Sequence, residues 1–188
     1  MLSSNDKRKG IGDRKVNLEH YKNLLLLEHK HSGWGCLLIY RDDFMSFYNG
    51  GLCLDIGCNV GLLECLIGQD RYYGLDIIEY DKKPKNFVIA DACVKIPFDD
   101  EYFDFICMIE TLEHLYDPYC ALREVHRVLK PNGRLFIQSV HGDDPCAEND
   151  PTHFQSFHTW SLTRLLKLFF NHVNVEKRGG TIIAKVIK

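Results

Sequence analysis

Three carboxylates and one glycine turn are the first places where this sequence offers chemistry. Leu54-Asp55-Ile56-Gly57-Cys58-Asn59-Val60-Gly61 closes a short apolar run and leads at once into a helical pattern. Free N–H groups at a helix start therefore face whatever sits on the turn, and Gly57 and Gly61 allow positive φ and close backbone approach. A second acid, Asp76, ends the run Gly74-Leu75-Asp76, and a third, Asp91, ends Ile89-Ala90-Asp91-Ala92. Asp76 can accept hydrogen bonds from both hydroxyls of a ribose, and Asp91 suits an adenine amino group. Three acids in this order describe an adenosine site without phosphate recognition. The dinucleotide fingerprint G-x-G-x-x-G fails, because positions 59 and 62 hold Asn59 and Leu62.

A second group of reactive side chains is Glu110, Glu113 and His114. Continued as a helix, these positions share one face. Three roles stand open for them. Glu113 and His114 can cap the segment and bond backbone groups; His114, or else His153, can act as a general base. In the third, Glu110, Glu113 and His114 are oxygen and nitrogen ligands for a divalent metal, with His153 or His158 completing the shell. The stretch from His141 to His158 adds Asp143, Asp144, Glu148, Asp150, His153, Phe154 and Phe157, with Trp160 just beyond. It is too long for a simple connection. It reads either as a substrate-facing lid or as a solvated acidic loop whose aromatics belong to the core.

These groups need a scaffold, and the apolar pattern supplies one. Leu52–Ile56, Tyr72–Ile78, Phe87–Ala90, Phe103–Ile109 and Arg134–Val140 read as buried strands. Leu62–Ile67, stopped by Gly68, Pro118–Leu129 and Ser161–Phe170 read as helices, the second with Ala121, Leu122, Val125, Val128 and Leu129 on one face. Pro131-Asn132-Gly133 reads as a turn, and Val173–Lys177 with Thr181–Ile187 as an antiparallel hairpin around Arg178-Gly179-Gly180. Alternating strands and helices predict an α/β sandwich around a mostly parallel sheet. Upstream, residues 1–16 read as a flexible basic tail. Residues 17–49 read as a helical cap, built from an amphipathic helix over Asn17–His31 and a short one over Arg41–Tyr48, partly covering the acceptor pocket. The domain proper is expected over 50–188.

At 188 residues, with 45% hydrophobic and 26% charged side chains, the chain is an ordinary single globular domain. No run of about 18 apolar residues offers a membrane span, and the start of the chain lacks a secretory signal. A cytoplasmic protein is expected. Eight cysteines occur without one C-x-x-C pair, so reduced, structural thiols are expected rather than zinc or disulfides. Net charge is −3, unevenly spread. Residues 1–16 carry five basic and two acidic side chains, whereas seven acids and no Lys or Arg lie between Lys95 and Arg123. That acidic stretch repels a phosphate backbone, so a small-molecule acceptor is favoured over nucleic acid.

With these residues in view, the chain resembles the class I S-adenosylmethionine-dependent methyltransferases of the broad small-molecule type. The likeness lies in the glycine turn, in Ile96-Pro97-Phe98 before Phe103-Asp104-Phe105, and in Leu112-Glu113-His114-Leu115 with Asp117-Pro118. It continues through Glu124-Val125-His126-Arg127-Val128-Leu129-Lys130-Pro131-Asn132-Gly133 and covers about residues 50–170. It implies a Rossmann-like three-layer sandwich whose sheet has seven strands, mostly parallel, with an antiparallel C-terminal strand. It also implies that S-adenosylmethionine is held by Asp55, Gly57, Cys58, Asn59, Gly61, Asp76, Ile77, Asp91, Ala92, Ile109 and Glu110. Asn59 departs from the family's middle glycine, although asparagine tolerates the left-handed conformation better than most residues. Cys107 to His114 is similar to the same segment of ubiquinone-pathway O-methyltransferases. The Glu-x-x-Glu-His order resembles the metal site of small-RNA 3′-end 2′-O-methyltransferases. The expected activity is O- or N-methylation of a small acceptor. Metal-assisted hydroxyl methylation, a non-catalytic cofactor-binding module and a nicotinamide oxidoreductase are the alternatives, the last opposed by Asn59 and Leu62.

Overall fold

The computed structural model describes residues 40–188. The basic tail over 1–16 and the helix expected over Asn17–His31 lie outside the described residues. From Tyr40 onward the chain runs α1 (Arg41–Phe47), β1 (Cys53–Ile56), α2 (Glu64–Ile67), β2 (Tyr72–Asp76), β3 (Phe87–Ile89) and β4 (Phe103–Ile109). A 3₁₀ turn over Leu112–His114 follows, then α3 (Pro118–Val128), β5 (Leu129–Val140), α4 (Pro145–Asn149), α5 (Thr159–Leu166), β6 (His172–Arg178) and β7 (Thr181–Ile187).

The strands form one seven-stranded sheet in the order β3-β2-β1-β4-β5-β7-β6. β1 pairs in parallel with β2 and β4, β2 with β3, and β4 with β5. β7 is antiparallel to both neighbours, β5 and β6, as the hairpin pattern requires. The chain leaves β1 first to one side and later to the other, so a crevice opens beyond the carboxyl ends of β1 and β4. That edge carries the glycine turn and the acidic cluster.

Strand alternation builds two cores. In β4, Phe105 and Cys107 face one side of the sheet, and Ile106 and Met108 the other. α3 and α5 cover the second face with Ala121, Leu122, Val125, Val128, Leu162 and Leu166. α3 starts where the sequence predicts: Pro118 occupies its first turn, and the Asp117 carboxylate accepts from Cys120 N at 3.0 Å. α1 and α2 cover the first face. The Phe44 ring lies fully buried, edge-on to Phe105 at 5.3 Å and to Phe136 at 5.4 Å. Asp43 pairs with Lys185 at 2.7 Å and with Arg178, and Tyr40 donates to the Arg178 carbonyl. The described part of the helical cap is thus fastened to the sheet face and the C-terminal hairpin.

Three local expectations shift. α2 begins at Glu64, because Asn59 and Gly61 adopt positive φ and the backbone stays in turns until Leu63. α5 runs Thr159–Leu166, earlier than expected, started by a reciprocal pair: His158 N donates to the Ser161 hydroxyl. Pro131-Asn132-Gly133 does not precede β5 but lies within it. Phe103 pairs with Leu129 and Phe105 with Arg134, so residues 130–133 bulge out around Asn132 at φ 61°. Among the described residues, Cys53, Cys58, Cys65, Cys93, Cys107, Cys120 and Cys146 are free thiols. Among the described residues, no helix is long and apolar enough to cross a membrane.

Candidate active site

The turn after β1 is tied to the end of β2 by its own backbone. Gly57 N and Cys58 N both donate to the Leu75 carbonyl, at 2.8 and 3.2 Å. Asn59 N donates to Asp76 Oδ2 at 2.9 Å, and Ile78 N to Asp76 Oδ1 at 3.0 Å. Asp76 therefore fixes the turn as well as ending the strand, with Ile77 between its two partners half-buried. Gly57, Asn59 and Gly61 hold φ of 74°, 52° and 75°. A Cβ on Gly57 would lie 2.4 Å from Thr111 Oγ1, so this close approach excludes any side chain. Cys58 is buried, its sulfur packed over Gly74, which leaves its backbone to line the turn.

Asp55 behaves differently from the other two acids. Its carboxyl points into the α1/α2 face of the sheet, where Oδ2 accepts from the Tyr72 hydroxyl at 2.6 Å and Oδ1 lies 3.5 Å from the Cys107 thiol. It is 4% exposed. Burial pushes its pKa up from 3.8 to about 7 against the two hydrogen bonds, with a smaller push from Asp76. Its side chain thus serves the core beneath the turn. Asp91 stands beyond β3 with its carboxylate held by Cys93 N and the Tyr116 hydroxyl, both at 2.8 Å. Ala92 beside it is buried.

Glu110, Glu113, His114 and His153 gather beyond β4 and β5. Glu110 takes φ of 47° at the strand end, and its Oε1 accepts from Gln138 Nε2 at 2.9 Å; Ile109 before it packs on the α1/α2 core. Glu113 is 1% exposed; its Oε2 accepts from the Ser139 hydroxyl at 2.9 Å, and its Oε1 is buried with no hydrogen-bond partner. Burial raises the Glu113 pKa well above the ordinary range, and the neighbouring Glu110 carboxyl raises it further. The His114 and His153 rings meet edge-on at 4.7 Å, and Glu113, His114 and His153 bring ligand atoms within 4.8 Å of one another. Glu113 does not cap the 3₁₀ turn: its carboxylate reaches Ser139 on β5.

His158 stands apart from this group. It joins His141 and Asp143 instead, because a parallel bridge between His141 and Phe157 carries it to the far side of the loop. The expectation that His158 could complete a shell around Glu113 is corrected. Asp143 there pairs with Lys177 at 2.7 Å. The loop's aromatics divide: Phe157 enters the core, whereas Phe154 and Trp160 are exposed. Sequence reading misses Thr111, Tyr116, Gln138, Ser139 and Thr152, whose contacts span 2 to 38 residues along the chain and leave no periodic signal.

Comparison with known proteins bears on the sequence pattern and the fold. A family model described as a methyltransferase domain matches residues 54–137. The solved structure of a SAM dependent methyltransferase from Archaeoglobus fulgidus superposes with a TM-score of 0.70 at 20% identity, covering 87% of this chain and 99% of that one. The sterol 4-C-methyltransferase strm-1 of Caenorhabditis elegans is 25% identical over 125 residues, 56% of this chain and 36% of the relative. The O-methyltransferase rstn1 of Aspergillus nomiae is 30% identical over 130 residues, 61% of this chain and 56% of the relative. The chain thus spans about a third to just over half the length of these curated relatives. Residues 54–137 thus match a methyltransferase domain, and the chain shares the fold of the SAM dependent methyltransferase from Archaeoglobus fulgidus.

Proposed function

We propose that this chain transfers a methyl group from S-adenosylmethionine to a hydroxyl or amine of a small-molecule acceptor. The observation that carries the reading is Asp76. Its carboxylate ends β2 beside a glycine turn whose backbone it already holds. A carboxylate is an acceptor-only group of the kind that the two hydroxyls of a ribose can donate to. The residues fit the cofactor: a turn held open by positive φ at Gly57, Asn59 and Gly61, with Asp76 for the ribose and Asp91 for the adenine end. S-adenosylmethionine held there would supply an electrophilic methyl for in-line transfer to the acceptor's lone pair, the C–S electrons remaining on sulfur. The chain holds the acceptor in line and takes its proton. His114 and His153 are the candidates for that base, and the acidic surround favours a neutral or cationic acceptor. The relative named as an O-methyltransferase supports a hydroxyl acceptor.

A second reading adds a divalent cation held by Glu113, His114 and His153. The buried, unpartnered Glu113 Oε1 favours it, since a cation is one way to satisfy such an atom. The cation would polarise a hydroxyl acceptor and lower its pKa.

Calorimetric titration with S-adenosylmethionine tests the main reading. The unaltered chain should bind, and Asp76→Ala should bind at least about 100-fold more weakly, as expected for two lost hydrogen bonds to a charged group. Absence of binding by the unaltered chain overturns it.

A further inference from the structure

The loop between β5 and α5 carries a chain of hydrogen bonds that ends on His114. Asp150 follows α4, and its Oδ1 accepts twice from Thr152: from the backbone N–H at 2.8 Å and from the hydroxyl at 2.6 Å. A threonine hydroxyl has one proton, and here that proton goes to Asp150. Thr152 Oγ1 also lies 2.9 Å from His114 Nδ1, and the Thr152 carbonyl oxygen lies 3.3 Å from the same nitrogen. Neither oxygen has a proton to give in that direction. His114 Nδ1 must therefore be the donor, shared between the two.

We infer that Asp150 and Thr152 form a positioning pair that holds His114 in its Nδ1–H tautomer and leaves the ring's lone pair on Nε2. An imidazole free in water favours the opposite tautomer, so the arrangement selects a state rather than accepting one. Thr152 is 1% exposed, which sets its hydroxyl in the interior of the loop, with Asp150 half-buried beside it. The loop is itself fastened to the 3₁₀ turn, since Phe154 N and Gln155 N donate to the Glu113 carbonyl at 2.9 and 3.1 Å. His153 differs: its Nδ1 lies 3.2 Å from the Ala147 carbonyl and so donates, while its Nε2 lies 3.5 Å from Asp150 Oδ2, a contact that attracts only when the ring carries a second proton. Asp150 thus neighbours both histidines but sets the tautomer of His114 alone, through Thr152. A base needs its lone pair on a defined nitrogen, and so does a metal ligand; the second hydrogen bond of the ring sets which nitrogen that is. The inference identifies Asp150 and Thr152 as positioning residues and rests on the proposed chemical role of His114.

Two-bond proton–nitrogen correlation spectra of the imidazoles read the tautomer directly in the full chain, with no cofactor or acceptor present. The unaltered chain should show His114 as Nδ1–H. Thr152→Val removes the nearer acceptor while keeping the turn, and should shift the tautomer ratio toward Nε2–H by about fivefold, the equivalent of one ordinary hydrogen bond. Thr152→Ser should restore it. Asp150→Asn provides a second perturbation of the same shape: an amide N–H turned toward the Thr152 hydroxyl frees that proton for His114 Nδ1 and moves the ratio the same way. A His114 found as Nε2–H in the unaltered chain overturns the inference, as does a ratio unmoved in folded Thr152→Val. Because the spectra need no ligand, their outcome is separate from whether S-adenosylmethionine binds.

Discussion

Replacing Asp55 by asparagine should change how stability depends on pH. In the folded chain the Asp55 carboxyl is buried beside Tyr72 and Cys107, and its pKa lies at about 7, against 3.8 for an ordinary aspartate. Between those values the folded state binds the proton and the unfolded state has lost it, so stability falls as pH rises. The contribution is fully present below about pH 4 and is gone above about pH 7. At about 1.36 kcal/mol per unit, the wild-type chain should lose about 3 kcal/mol between about pH 5 and pH 8 through this group. The asparagine side chain would keep the shape and an oxygen acceptor for the Tyr72 hydroxyl, with no proton to lose. The gap between Asp55→Asn and wild type should therefore widen in favour of the variant across that range. For a chain of this size the change corresponds to roughly 6–12 °C in Tm. Urea melts of both proteins at half-unit pH steps would measure it. Parallel stability curves would refute the reasoning and mean that Asp55 is ionised in the fold, or solvated.

Two other perturbations follow from the same geometry. Gly57→Ala forces a Cβ to within 2.4 Å of Thr111 Oγ1 at a φ of 74°, and should cost about 2–4 kcal/mol from left-handed strain and overpacking; an unchanged melting curve would count against so close an approach of the turn to Thr111. Glu113→Gln keeps the Ser139 contact but weakens any cation site, so Mn²⁺ titration by calorimetry should show binding at least about tenfold weaker than for the unaltered chain. If the unaltered chain takes up no Mn²⁺, the cation reading falls.

The strands and α3 are legible in the sequence because their cause is local. Residues 105–109 alternate between two covered faces, and Asp117-Pro118 followed by a stripe at helical spacing announces a helix start. The order of acids along the chain is also readable, since each ends a strand. Their directions are not. Asp55 looks like Asp76 in sequence, yet alternation along β1 sends its carboxyl beneath the sheet to Tyr72, 17 residues away. Helical geometry predicts one face for Glu110, Glu113 and His114, but Glu110 takes positive φ and the turn is 3₁₀, so Glu113 meets Ser139 and His153 through the fold. His158 and His153 are equal candidates on paper. Only the bridge between His141 and Phe157 separates them.

The hairpin of β6 and β7 has a consequence for how the domain opens. Its two strands meet around Gly179 and Gly180, so they can pair before the rest of the sheet is complete, whereas β7 must find β5 across a much longer stretch of chain. The same hairpin anchors α1 through Arg178 and Lys185, and its tip holds the start of the β5–α5 loop, where His141 N donates to the Gly180 carbonyl at 2.8 Å. A single sub-global opening that frees β7 from β5 would therefore release α1 and the histidine loop together. Amide exchange in these three segments should share one rate-setting event, coupling the order of the site to the last-paired edge of the sheet.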